Sequence, residues 1–180
     1  RERERERMKV MIPLDESEGS FYALKWVLDH LFNSPTAPTT TTTDLAQSSQ
    51  EAEPHLITIV HVRQPFTPFI YPAGPVVYAT PMVVDAVRKA NEEIATRIFS
   101  RALHMCKDQK MVKAETLVLE GDPKDRICEV ADEQHFDLLV IGSRGLGKIK
   151  RAFLGSVSDY CAHHVKCPIL IVKPPKESSM

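Results

Sequence analysis

Along the chain, short and nearly continuous apolar runs alternate with stretches in which apolar residues recur every three or four positions. Lys9 to Leu14 (KVMIPL) is the first run, stopped by Asp15, and it predicts a buried strand. From about Ser17, the recurrence of Phe21, Leu24, Val27, Leu28 and Leu31 predicts a helix. Leu56 to Val62 (LITIVHV) is β-branched and predicts a second strand. Met82 to about Lys107 predicts a long helix with Val87, Ile94, Ile98 and Met105 inward. Thr116 to Leu119 predicts a third strand, and Gly121-Asp122-Pro123 then supplies a turn, a cap and proline at the first helical position. The helix that follows carries Ile127, Val130 and Ala131 inward. Asp137 to Ile141 predicts strand four, about Ser156 to Val165 a last helix, and Ile169 to Val172 strand five. Five such strands alternating with four helices predict an α/β fold, with a five-stranded parallel sheet and helices on both faces. Strands that are apolar throughout fit a sheet covered on both sides.

Two stretches break this rhythm. Asn33 to Pro54 is rich in Thr, Pro and Ser with almost nothing apolar, and is expected to be a mobile surface insertion. Arg63 to Pro81 is rich in proline and aromatics and reads as an irregular loop. Residues 1–7 alternate Arg and Glu and are expected to be a charged tail, with a single domain over 8–174 and a short tail over 175–180.

The chemistry concentrates in residues 141 to 158, IGSRGLGKIKRAFLGSVS. In parallel sheets, ligands sit beyond the carboxyl ends of strands where the strand order reverses. Pro13-Leu14-Asp15 and Gly142-Ser143-Arg144-Gly145 both fall at such ends, and they share one crevice if strands one and four are neighbours. Gly142 and Gly145 allow the backbone close to a ligand. Gly155-Ser156-Val157-Ser158 opens a helix, where free N–H groups and the positive dipole end favour an anion and two hydroxyls add donors. Arg144, Lys148, Lys150 and Arg151 add four cations without an acidic residue between them. Gly142 to Lys148 follows a phosphate loop until Ile149 stands where a magnesium-binding hydroxyl is required. PLDESEGS carries no dinucleotide fingerprint after the first strand. Cys161, His163, His164 and Cys167 suggest zinc, but one short helix and its exit cannot turn all four toward one point. Blander readings exist for single residues: Asp15 as a helix cap, His61 as a packed strand residue, and Ser34 with the Thr run as a solvated tether.

The 180 residues carry a formal net charge of −1, which argues against a general nucleic-acid binder. No apolar run approaches the ~18 residues of a membrane span. RERERER is not the basic-then-apolar start of a secretory leader, and the four cysteines lack tight paired spacing, so a cytoplasmic location is expected.

The spacing Gly142-x2-Gly145-x9-Gly155-Ser156 resembles the G-x2-G-x9-G-[ST] motif of the universal stress protein family, in its nucleotide-binding, plant-type branch. PLDESEGSFYAL, His61-Val62 and CPILIVK resemble that family's first strand and helix, second strand end and last strand. The resemblance implies a Rossmann-like, adenine nucleotide alpha hydrolase-like fold that binds ATP or AMP, with Mg2+ as an optional companion of the nucleotide. It sets Pro13 and Asp15 beside the adenine and ribose, and the Val62 backbone at the adenine edge. Ile141 and Gly142 would touch the ribose, while Arg144, Gly145, Gly155, Ser156 and Val157 would cradle phosphate; the Ser158 hydroxyl is expected there from its place at the helix start rather than from the resemblance. The resemblance also implies a homodimer paired through Ile169 to Val172. The expected role is a nucleotide-dependent switch or sensor in the stress response, with a slow ATP hydrolase or a nucleotide-independent scaffold or holdase as alternatives.

Overall fold

The computed structural model describes residues 7–32, 54–65, 80–145 and 154–175. Most of the insertion expected at 33–54, most of the proline-rich loop and most of both tails lie outside the described residues, as do Lys148, Ile149, Lys150 and Arg151. Nine elements follow in the order β1 (Lys9–Pro13), α1 (Glu18–His30), β2 (His55–Arg63), α2 (Pro81–Cys106), β3 (Val112–Glu120), α3 (Pro123–Glu133), β4 (Leu138–Gly142), α4 (Ser156–His164) and β5 (Ile169–Val172). The five strands form one parallel sheet in the order β3-β2-β1-β4-β5, as the alternation of patterns predicts.

Side chains along a strand point to opposite faces, so each apolar run feeds two cores. Val10 and Ile12 of β1, Ile57 and Ile59 of β2 and Val140 of β4 pack under α1 and α2, with Phe21, Leu24, Val27, Ile98 and Ala102. Met11, Val60, Leu139 and Ile141 face the other way, onto Ile127, Val130 and Ala131 of α3 and Cys161 of α4. The central strands are therefore apolar on both faces almost throughout, with Thr58 and His61 the polar residues in the middle of β2, because neither face meets water.

The helix starts carry the chemistry expected of them. Ser17 caps α1 by accepting the Ser20 N–H, Asp122 caps α3 by accepting the Lys124 N–H at 3.1 Å, and Pro123 follows at the first helical position. The expected apolar faces are refined in two places. Leu31 is the C-cap of α1 and is exposed rather than inward. In α2 the buried residues are Ala95, Ile98, Ala102 and Cys106, while Val87, Ile94 and Met105 are only half-buried. The small Ala95 and Ala102 allow close approach to the sheet, and the larger side chains flank that contact.

Strand β3 runs from Val112, four residues before the expected start. Lys113 and Glu115 conceal its beginning in the sequence, but they are exposed on an edge strand and pair with each other at 2.9 Å. Asp137 lies just before β4 rather than within it. Its carboxylate accepts the Lys9 N–H at 2.7 Å and its own N–H donates to the Lys9 carbonyl at 3.0 Å, clipping the starts of β1 and β4 together.

Helix α1 lies so close to the end of β4 that neither backbone has room for a side chain. A Cβ on Gly142 would stand 2.9 Å from the Gly19 carbonyl oxygen, and one on Gly19 would stand 2.8 Å from the Arg144 carbonyl oxygen. Gly142→Ala and Gly19→Ala should each destabilise the fold by about 1–3 kcal/mol, as overpacking against immobile atoms does. Gly155→Ala, whose nearest neighbour would be 3.4 Å away, should lie within about 1 kcal/mol of the parent. Urea unfolding of the three variants checks this order.

Candidate functional site

Strand β1 is hydrogen-bonded to β2 on one side and β4 on the other, but the two ladders differ in length. Register with β2 extends from Lys9 to Pro13, whereas pairing with β4 covers only Val10 with Leu138 and Met11 with Leu139. Backbone N–H groups alternate sides along a strand. The Leu14 N–H donates to the Val60 carbonyl at 2.7 Å, so position 13 faces β4, and proline has no N–H to offer there. The two strands consequently part beyond Met11, and the crevice between their ends lies at the point where the strand order reverses.

The segment after Pro13 is held by its neighbours. His61 Nδ1 lies 2.9 Å from the Leu14 carbonyl oxygen, and because a carbonyl only accepts, Nδ1 carries the proton. The Ser20 hydroxyl accepts the Asp15 N–H at 3.3 Å and lies 3.0 Å from the Asp15 carbonyl oxygen. The Asp15 carboxylate accepts from the Ser17 N–H at 3.0 Å and from the Ser17 hydroxyl. Asp15 thus braces the residue that caps α1, rather than capping the helix itself.

On the other side of the crevice, one carbonyl joins the two halves of the glycine segment. Ser143 oxygen accepts the Gly155 N–H at 2.8 Å and lies 3.2 Å from the Ser158 hydroxyl, while the Ser143 N–H donates to Val172 at 2.8 Å. The start of α4 is thereby tied to the end of β4. Gly155 is the N-cap and supplies no side chain, so the N–H groups of Ser156, Val157 and Ser158 have no intrahelical acceptor. Ser156 is exposed, whereas Ser158 is buried and its single proton is directed to Ser143 or Gly155 oxygen. A phosphate-sized group would find the Ser156 hydroxyl available and the Ser158 hydroxyl already committed.

All eleven residues singled out in the sequence line one cavity of about 540 Å³: Pro13, Asp15, Val62, Ile141, Gly142, Arg144, Gly145, Gly155, Ser156, Val157 and Ser158. The glycines there do not adopt positive φ; among the described residues only Gly121, at φ 131°, and His135, at φ 52°, do so. Gly142 is demanded by α1, and Gly145 by Asp15, whose carboxylate a Cβ at position 145 would strike. Sequence reasoning missed Arg63, Gln64, Asn91, Pro123 and Ile127 on the same wall. Pro123 and Ile127 were legible only as helix-start and core residues, and Asn91 gave no signal within α2.

The zinc alternative finds no geometry. His163 and His164 turn their Nδ1 atoms to the Asp159 and Tyr160 carbonyls, each at 2.8 Å. Cys161 is buried against Cys128, with the sulfurs 3.6 Å apart, and burial pushes its thiol well above the usual range. No group of three or more metal-ligating side chains occurs among the described residues. Nor is any helix among them long and apolar enough to cross a membrane.

A five-stranded parallel α/β sheet with a glycine-bounded cleft at the reversal of strand order is the arrangement in which such folds place their ligand sites. The chain belongs to the universal stress protein family, which it matches over residues 6–173. It is 34% identical over 97 residues to the universal stress protein A-like protein of Arabidopsis thaliana, covering 54% of this chain and 55% of the relative. It is 27% identical over 184 residues to the universal stress protein PHOS34 of the same plant, covering 95% of this chain and 64% of that one. The chain therefore spans a little over half to about two thirds of the length of these curated relatives. Its fold resembles that of a universal stress protein family protein from Arabidopsis thaliana solved with AMP bound, with a TM-score of 0.61, 24% identity, and coverage of 94% of this chain and 93% of that one.

The two serines of α4 should behave oppositely in the free protein. Ser158→Ala removes a buried hydroxyl that bonds the Ser143 carbonyl and should cost about 1 kcal/mol of stability. Ser156→Ala removes an exposed one and should leave the melting temperature within about a degree of the parent. Differential scanning calorimetry without added ligand distinguishes them.

Proposed function

We propose that this chain binds an adenine nucleotide, ATP or AMP, in the cavity between β1 and β4 and serves as a nucleotide-dependent switch or sensor in the stress response. The observation that carries the reading is the convergence of all eleven sequence-selected residues on a single cavity. Its chemistry is graded from one end to the other. Val62 and Ile127 give apolar walls toward the β2 end, where a base would lie. Asp15 stands between, with a carboxylate able to accept from ribose hydroxyls. Arg144, the Ser156 hydroxyl and the unpaired N–H groups at the start of α4 favour phosphate oxygens at the far end.

The AMP bound to the Arabidopsis neighbour is consistent with this assignment. Of the two acidic residues on the cavity wall, Glu16 is paired with Arg97 at 3.0 Å, which leaves the Asp15 carboxylate as the hard donor suited to a divalent ion arriving with a triphosphate. Mg2+ would there be held by Asp15 and by phosphate oxygens, neutralising their charge. A homodimer paired through the Ile169–Val172 edge, working in the cytoplasm, completes the reading, since β5 is an apolar edge strand that pairing would cover.

Denaturing freshly purified protein and analysing the supernatant by mass spectrometry should release an adenine nucleotide. Calorimetric titration should show Ser156→Ala binding ATP roughly ten- to a hundred-fold more weakly, the cost of one charge-assisted hydrogen bond, and adenosine about as well as the parent. Gly145→Val, which displaces Asp15, should weaken ATP and adenosine alike. A parent protein that releases no adenine nucleotide and binds none in titration overturns the reading.

A further inference from the structure

The β2 end of the cavity holds a cation that the phosphate end does not explain. Arg63 is the last residue of β2, in register with Glu120 at the end of β3, and its carbonyl accepts the Gly121 N–H at 3.0 Å. Its side chain lines the cavity beside Gln64, Asn91 and Ile94. One guanidinium nitrogen, Nη2, donates to Glu120 Oε1 at 2.8 Å, with the Arg63 side chain 23% exposed and that of Glu120 69%. The pair is therefore lopsided: the carboxylate stands in solvent while the arginine side chain is largely covered. Glu120 engages a single nitrogen, although the guanidinium carries five N–H donors. The Nε atom is buried and has no acceptor among the described residues. With Nε covered, as are the Nε atoms of Arg7 and Arg126, an acceptor in the cavity would meet the outer guanidinium nitrogens instead.

Sheet geometry restricts what that acceptor is. Strand β1 separates β2 from β4, so Arg63 stands two inter-strand spacings, about 10 Å, from the strand that carries Gly142. A nucleotide whose phosphates meet Gly145 and the start of α4 presents its base, not its phosphates, at this distance. The surrounding walls fit a flat heteroaromatic ring, with Val62, Ile94 and Ile127 as apolar surfaces and the Gln64 and Asn91 amides beside them. A purine offers in-plane ring nitrogens as acceptors, and a planar guanidinium donates to groups in its own plane.

Resting on the nucleotide-binding reading above, we infer that Arg63 is a specificity-determining residue that donates a hydrogen bond to a ring nitrogen of the purine base. The guanidinium, held on one side by Glu120, then selects for bases that carry an acceptor at that point. It does so independently of how many phosphates the ligand bears.

The test titrates the full chain with ATP, with adenosine and with three adenosine analogues, each having one ring nitrogen of the base replaced by CH. On the parent protein one analogue should bind roughly ten-fold more weakly than adenosine, the loss expected for one hydrogen bond to a charged donor. Arg63→Met should weaken ATP and adenosine by the same factor, and on this variant that analogue should bind like adenosine. Arg63→Lys keeps the charge but loses the planar donor, and should resemble Arg63→Met. Melting temperatures confirm that the variants fold, and the analogue series on the parent protein needs no variant. Three analogues that all match adenosine on the parent overturn the inference. So does an Arg63→Met loss confined to ATP, which would make Arg63 a phosphate contact. If the parent binds adenosine and ATP but shows no such coupling, the inference alone fails; if it binds neither, the nucleotide reading fails with it.

Discussion

A missing hydrogen-bond donor governs the architecture of the cleft. Parallel strands stay together because each residue facing a neighbour supplies both an N–H and a carbonyl. Pro13 faces β4 and supplies only the carbonyl, and the β1–β4 ladder is already finished at Met11 and Leu139. On the other side Leu14 still donates to Val60, so β1 keeps its grip on β2 while releasing β4. Had position 13 carried an ordinary amide, the strands could have continued together and closed the gap. The cavity exists because the sheet is asymmetric about its central strand.

The glycines then set how closely the walls of this gap approach one another. Gly19 and Gly142 allow the backbones of α1 and β4 to touch, and Gly145 leaves room for the Asp15 carboxylate. Their role is interlocking rather than backbone freedom, since none of the three has positive φ. The Ser143 carbonyl completes the arrangement by gathering Gly155 and Ser158 to the end of β4. The first turn of α4 is therefore aimed across the cleft by hydrogen bonds that belong to the protein itself. Its N–H groups, which have no acceptor within the helix, are held in position by the fold, which reduces the ordering that any ligand would have to bring about.

Most of the fold was legible because local and long-range demands coincide in it. Runs such as LITIVHV, with five of seven positions apolar and no polar alternation, occur when both faces are covered, and that implies helices on either side of the sheet. What escaped notice was polar or small. Lys113 and Glu115 disguised the start of β3, because an edge strand tolerates charge where a central strand does not. The inward residues of α2 include two alanines, which carry little periodic signal beside Val87 and Met105. At the cleft, glycine spacing and proline position were readable as chemistry on a single stretch of chain. Arg63 and Asn91 were not, because they acquire meaning only when the end of β2 and the middle of α2 are brought together in space. The collision between Gly19 and Gly142 was hidden for the same reason.

The cavity wall draws Pro13 from β1, Val62 from β2, Asn91 from α2, Pro123 from α3, Ile141 from β4 and Val157 from α4. Both helical layers and three of the five strands therefore meet around one volume, and the two cores, otherwise separated by the sheet, share a border there. Any molecule that fits this space is bonded to the folded state as a whole, because unfolding disperses all six contributors. Mass action then converts its concentration into conformational stability, by about 2.7 kcal/mol when it stands at a hundred times its dissociation constant. For a molecule that binds there, the resistance of this domain to unfolding, and hence its lifetime against proteases that act on open chains, would rise with that molecule's concentration.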